Sequence, residues 1–193
     1  MKMIMLTVLS ALLLSMPAAG EKVICRIETA AGDMLIEVYP EKAPLSTANF
    51  LRYVDSGLYN GSTFFRVLTA DIQPDSEFKI EVIQGGDLAE EKCFPPIAHE
   101  TTKMTGLRHL DGVVSMARAA PGTASCSFFI CVGVQPELDH GGRRNPDGQG
   151  FAAFGRVTAG MDTVKQIQAM EQEKQYLKKP LLIISIRRLG PKD

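Results

Sequence analysis

The sequence carries almost no net charge: 21 Lys and Arg stand against 22 Asp and Glu, a formal −1 with His neutral. There is thus no electrostatic case for a nucleic-acid or anionic-membrane partner. Histidine is scarce. His99, His109 and His140 are the only three; all fall in loop-like segments, and none has metal-ligand spacing to a partner. No Gly-x-Ser-x-Gly occurs, so no hydrolase constellation is legible. The four cysteines, Cys25, Cys93, Cys126 and Cys131, include no CxxC pair, which argues against a zinc site or a redox motif. There is also no internal repeat and no linker. The 193 residues, 45% apolar and 22% charged, read as one globular domain with a sizeable core.

The first twenty residues stand apart. Lys2 gives a positive start, Ile4 to Met16 is apolar, Pro17 breaks the run, and Ala18-Ala19-Gly20 offers a cleavage site. This is a secretory signal pattern, and the run is shorter than the roughly 20 residues that a membrane helix needs. An uncleaved anchor or a buried helix is the alternative. The expected organisation is a signal peptide at 1–20 and a domain at 21–193, periplasmic or secreted, with no stable membrane insertion after cleavage. No cysteine stands at the break to take a lipid. Export permits disulfides. Four cysteines allow three pairings, among which sequence does not choose. Cys126 and Cys131 fall on opposite faces of a strand-like stretch and should not bond each other. The alternative is that the cysteines are small buried hydrophobes.

Alternating runs at 23–28 and 34–39 flank the turn Ala30-Ala31-Gly32-Asp33 and read as a hairpin. Ala48, Leu51 and Val54 space out a helix over 45–56, stopped by Gly57. Strands are predicted at 63–68, 79–84, 113–117, 128–132, 151–157 and 181–186, with a polar loop at 69–78 and another at 138–150. Met161, Val164 and Ile167 mark a second helix, with Asp162 in its first turn. Many short strands and two distant amphipathic helices suggest an all-β barrel whose open ends the helices cover.

Several blocks make the reading specific. They are Phe64-Phe65-Arg66-Val67, Val82-Ile83-Gln84-Gly85-Gly86-Asp87, Gly112 to Arg118, Ser127 to Cys131 and Phe151 to Val157, with Ala43-Pro44, Asn49-Phe50 and Gly57-Leu58-Tyr59 upstream. In this order the chain resembles the cyclophilin-type peptidyl-prolyl cis-trans isomerases. The resemblance implies an eight-stranded antiparallel closed barrel capped by two helices. The long loops at 69–78 and 138–150 resemble a bacterial periplasmic-like subgroup.

The implied reaction is rotation about an Xaa-Pro bond, assisting protein folding. Amide resonance sets a barrier of about 18–20 kcal/mol. Turnover of roughly 10–1,000 per second needs that barrier lowered by about 4–7 kcal/mol. No bond breaks, so no cofactor, metal or nucleophile is required. A donor aimed at the proline nitrogen weakens resonance, and an apolar pocket holds the ring while the chain turns. By the resemblance, Arg66 and Gln84 are the catalytic pair. The substrate-binding positions are Phe129 as pocket floor, Leu138 as wall, Val82 at a further pocket position, Ala117 and Arg118 for backbone contact, Ser127, and Phe151 at the rim. Alternation puts Phe128 and Phe129 on opposite faces, so one can be core and the other pocket.

Departures from the family pattern fall at Glu81, where many members have a pocket Phe, and at Val82 for Met. They also include Arg118 for Asn, Ser127 for Gln, Glu137 for a Trp that favours cyclosporin, and Phe151 for His. Losing the Phe at 81 should widen the pocket unless Phe78 or Phe151 fills it. The expected partners are proline-containing polypeptide clients of a monomer. The competing reading is a catalytically weak proline-peptide-binding or chaperone module on the same fold.

Overall fold

The computed structural model describes residues 23–190; the expected signal peptide lies outside the described residues. β1 (Val23–Thr29) and β2 (Gly32–Val38) form the expected hairpin, pairing from Val23↔Val38 to Thr29↔Gly32. Cys25, Ile27, Met34, Ile36 and Val38 point inward, as period-two alternation requires. Then follow α1 (Pro44–Asp55), β3 (Thr63–Leu68), β4 (Val82–Gly85), a one-turn α2 (Thr102–Thr105), β5 (Val113–Met116) and β6 (Phe128–Cys131). The chain finishes with β7 (Ala152–Ala159), α3 (Met161–Gln168), β8 (Gln172–Glu173) and β9 (Tyr176–Arg188).

Every pairing is antiparallel, in the order β1-β2-β7-β5-β6-β4-β3-β9, and β1–β9 pairing closes the ring. The ring is thus the expected eight-stranded barrel; β8 is a two-residue ribbon on β9 alone. β9 runs well beyond the expected 181–186 because it pairs along its length with β3, β1 and β8.

α1 and α3 are the two expected caps. Pro44 suits the first turn of α1, yet Ala43 offers no side-chain cap. The buried Glu100 carboxylate does that work instead. It accepts from the Leu45 N–H at 3.0 Å, the Ser46 N–H at 2.6 Å and the Ser46 hydroxyl at 2.7 Å, at the end where the helix dipole favours an anion.

Inside the barrel, Phe50, Tyr53, Tyr59, Phe64, Phe128 and Phe154 are fully buried. Phe50 meets Phe128 edge-on at 5.5 Å and Phe154 at 5.1 Å, spacings at which aromatic pairs add to burial. A second, smaller apolar cluster lies outside the ring: Leu68, Ile80, Val82, Phe129, Cys131 and Leu138, with Ala117 and Phe151 against it. This cluster carries the site.

β4 starts three residues later than expected. At Ile80 the buried Gln73 replaces the ladder: its Nε2 donates to the Ile80 carbonyl at 2.7 Å and its Oε1 accepts from the Ile80 N–H at 3.4 Å, while Nε2 also donates to the Thr69 carbonyl at 2.8 Å. This side chain helps to tie down the 69–78 loop, which the sequence reads only as a polar surface loop.

Candidate active site

One row of side chains crosses the sheet. Arg66 on β3 pairs with Gln84 on β4, and Gln84 with Phe129 on β6. Strict alternation would put Arg66 on the face of Phe64, inside the barrel. A bulge between Phe64 and Arg66 shifts the register, so Phe64 and Val67 enter the core while Arg66 and Leu68 face outward. Re-aiming a side chain beside a site is a known use of bulges. The Gly85-Gly86 turn follows from space. A Cβ at Gly85 would lie 2.9 Å from the Phe64 ring; at Gly86, where φ is +81°, it would lie 2.8 Å from the Cys126 carbonyl oxygen.

The Arg66 guanidinium is held from two sides. Nη1 donates to Gln84 Oε1 at 3.1 Å and Nη2 to Gln175 Oε1 at 2.6 Å. Both acceptors are neutral, and Arg66 has no carboxylate partner among the described residues. Its buried Nε–H has no partner either. Burial lowers the guanidinium from its usual value, with Tyr176 opposing; an arginine there stays charged.

A groove of about 200 Å³ opens in front of it, lined by Arg66, Gln84, Ala117, Arg118 and the apolar set Leu68, Ile80, Val82, Phe129, Leu138 and Phe151, and completed by Arg144 and Asn145. Phe129 is 5% exposed and meets Phe151 edge-on at 5.3 Å. Phe128, its neighbour, is in the core, so the two phenylalanines divide as alternation requires. Behind Phe129 stacks His109, ring centroids 6.0 Å apart.

The far wall is the 138–150 loop, built largely from side-chain bonds. Arg118 is the main tie: its Nη atoms donate to both Asp147 carboxylate oxygens at 2.8 Å, its Nε donates to the Gly150 carbonyl at 2.8 Å, and its guanidinium lies 5.1 Å from the Phe151 ring. These bonds hold the Asp147 carboxyl down at about 2. Glu137, at the place of the family's Trp, pairs with Arg143 at 3.0 Å. Arg144 Nη1 donates to Ser76 Oγ at 2.7 Å and to the Phe78 carbonyl at 2.8 Å, joining the two long loops at the groove mouth. Burial and the nearby Arg66 both lower Arg144.

The structure also assembles a trio that the sequence did not reveal. The Asp139 carboxylate accepts from His109 Nδ1 at 2.8 Å, and His109 Nε2 lies 3.0 Å from Ser115 Oγ. This is the connectivity of a hydrolase triad, but His109 and Ser115 are both 0% exposed and neither lines the groove. A nucleophile without access does not react. Burial alone would raise Asp139, yet the bonds from the His109 ring and backbone hold it below the usual carboxylate range. The trio braces the Phe129 ring and the start of the loop.

Of the residues singled out from sequence, Arg66, Gln84, Val82, Ala117, Arg118, Phe129, Leu138 and Phe151 meet at the groove. Ser127 does not: its hydroxyl donates to the Gly86 carbonyl at 3.1 Å, and it is outside the lining. Ile80 and Phe151 belong to the apolar lining of the groove, whereas Phe78 lies under Arg143, its ring centre 4.1 Å from the guanidinium carbon. Leu68, Ile80, Arg144, Asn145 and Gln175 were missed. Leu68 ends β3 and Ile80 lies just before β4, so both carry the plain signal of apolar residues in strand-like runs; the other three sit in polar loops that say nothing of where they fold back.

A family model described as cyclophilin type peptidyl-prolyl cis-trans isomerase/CLD matches residues 24–189. Peptidyl-prolyl cis-trans isomerase A of Dickeya dadantii is 34% identical over 171 residues, 83% of this chain and 82% of the relative. Peptidyl-prolyl cis-trans isomerase cyp18 of Streptomyces antibioticus is 37% identical over 150 residues, 75% of this chain and 82% of the relative. The fold is that of a Cryptosporidium parvum cyclophilin type peptidyl-prolyl cis-trans isomerase, with TM-score 0.70 and 21% identity over 88% of this chain and 99% of that one. With its closed barrel and an arginine facing an apolar groove, the chain belongs to the cyclophilin-type peptidyl-prolyl cis-trans isomerase family.

Proposed function

We propose that this protein accelerates rotation about Xaa-Pro bonds with Arg66 as the catalytic group and Phe129 as the floor that holds the proline ring. The observation that carries the assignment is the state of Arg66: a full positive charge facing the groove, pinned by two neutral carboxamides and free of any carboxylate among the described residues. Rotation pyramidalises the proline nitrogen and makes it basic. A fixed cationic donor, here with an unpartnered Nε–H, stabilises that form more than the planar amide, which is the condition for catalysis. Leu68, Ile80, Val82, Leu138 and Phe151 immobilise the ring, and the backbone beside Ala117 and Arg118 receives the extended peptide. Gln84, whose Oε1 accepts from Arg66, presents its NH2 to a peptide carbonyl.

The substrates are proline-containing polypeptides; a related Cryptosporidium parvum structure, 22% identical, was obtained in the presence of the dipeptide Ala-Pro. NMR exchange on an Ala-Pro peptide tests the reading. Wild type should accelerate cis/trans exchange, and Arg66→Ala should abolish most of that. Peptide binding without acceleration would leave only the binding-module reading.

The signal pattern at 1–20 supports export to the periplasm or medium, and the long 69–78 and 138–150 loops support a place in the bacterial periplasmic-like subgroup. Mass spectrometry of the mature protein, expected to start near residue 21, checks the first. Light scattering checks the monomer.

A further inference from the structure

We propose that Gln175 is a positioning residue that aims the Arg66 guanidinium into the groove while leaving its charge whole. This rests on the reading of Arg66 as the catalytic group. Lys174 and Gln175 form the two-residue turn between β8 and β9, flanked by the pair Glu173↔Tyr176. Both have positive φ, 49° and 79°, the conformation of a tight hairpin turn that favours Asn-Gly. Among the described residues these are the only non-glycine positions in that region. Glycine is the residue that position 175 favours for its backbone. What glutamine adds is its side chain, whose Oε1 accepts from Arg66 Nη2 at 2.6 Å. Its backbone carbonyl also accepts from the Val67 N–H at 2.9 Å, so the turn is locked to the strand that carries Arg66. A strained backbone position carrying a direct bond to the catalytic group is where strain serves function. Gln84 holds one Nη atom and Gln175 the other; together they fix the plane of the guanidinium. A carboxylate would hold it as well but would neutralise it.

The test uses Gln175→Met, Gln175→Glu and Gln175→Gly in the full chain, with kcat and KM for an Ala-Pro peptide measured separately. Gln175→Met should lower kcat roughly three- to tenfold with KM within about twofold. Gln175→Glu should lower kcat further, because an ion pair replaces a neutral bond. Gln175→Gly should lower kcat while Tm holds or rises, since glycine accepts the positive φ; a residue with a merely structural role would move both together. Wild-type kcat in Gln175→Met and Gln175→Glu, alongside an inactive Arg66→Ala, would overturn the proposal alone. An active Arg66→Ala would overturn the catalytic reading beneath it.

A second inference rests on a separate observation. The geometry points to a Cys93–Cys126 disulfide. Their Sγ atoms lie 2.8 Å apart, and both residues are partly exposed, whereas Cys25 and Cys131 are fully buried in different clusters. The segment is already seated: the Phe94 N–H donates to Tyr53 Oη at 2.7 Å, and Ser125 Oγ donates to the Phe94 carbonyl at 2.8 Å. Burial and the neighbouring thiol push Cys93 up to about 11, so oxidation proceeds by exchange through a small thiolate fraction. A low-molecular-weight disulfide is the oxidant. One protein thiolate attacks it and releases a thiol, the other displaces the second thiol, and the two cysteines lose two protons and two electrons.

Incubation of the full chain with oxidised glutathione, followed by non-reducing peptide mapping, tests this. A Cys93–Cys126 cross-linked peptide should form, Cys25 and Cys131 should stay alkylatable only after unfolding, and Tm should rise roughly 5–10 °C over the reduced form. Cys93→Ser should remove both changes. Stable glutathione adducts without ring closure, or any other pairing, would overturn it.

Discussion

The two walls of the groove are built on different principles. Arg66, Gln84 and Phe129 stand on three adjacent strands in one register row. Backbone ladders position them, with an aromatic core behind. The opposite wall, 138–150, has few ladder bonds. Arg118–Asp147, Glu137–Arg143, Arg144 to Ser76 and Phe78, and His109–Asp139 hold it. In the proposed mechanism the strand-borne wall carries the charge that acts on the amide, and the side-chain-tied wall shapes what enters. Chemistry and recognition can therefore be perturbed separately.

The largest effect belongs to the sheet wall. Arg66→Ala should cut kcat/KM about 10²–10³-fold, chiefly in kcat, by loss of a preorganised donor, with Tm close to wild type. The paired phenylalanines come next. Phe128→Ala should destabilise the fold by about 3–5 kcal/mol in urea titration. Phe129→Ala, truncating a ring that faces the groove, should cost less stability and raise KM instead. Equal stability losses would break the distinction between core and floor.

The loop wall should respond in KM. Asp147→Asn loosens the Arg118 clamp and should raise KM roughly three- to tenfold with kcat within about twofold. Its pH signature follows from the carboxyl held at about 2 against an ordinary 3.8. A depressed folded-state value means that the anchoring is present in full above about pH 4 and is lost as pH falls toward 2. The Tm gap between wild type and Asp147→Asn should thus be constant above about pH 4 and close below it. Smallest of all, Arg144→Gln should remove a two- to fivefold preference for Glu over Lys beside the proline, since Arg144 lines the groove with Arg66 while the third arginine there, Arg118, is paired with Asp147; salt should erode that preference in wild type. No preference at low salt would show Arg144 to be a tie between loops only.

Much of the site is legible in the sequence because Arg66, Gln84 and Phe129 sit on short strands inside blocks that resemble the family pattern. The Phe128/Phe129 division follows from alternation alone. Arg118 was read for its backbone, but its side chain is the loop's main anchor, and nothing local to residue 118 announces Asp147, 29 residues on. The motif around Ser127 implies a place in the groove, yet its hydroxyl turns to the Gly86 carbonyl.

By itself, the sequence determined the strand periodicities, the two capping helices, the glycine turn beside Gln84 and the residue types of a cation over an apolar floor. These are local properties, set by side-chain pattern and steric space. Only the tertiary structure decided the bulge that turns Arg66 outward, the turn that brings Gln175 to it, the buried His109 trio behind Phe129 and the approach of the Cys93 thiol to Cys126. Each depends on contacts between segments far apart in the chain, and their energies exist only once the barrel has closed.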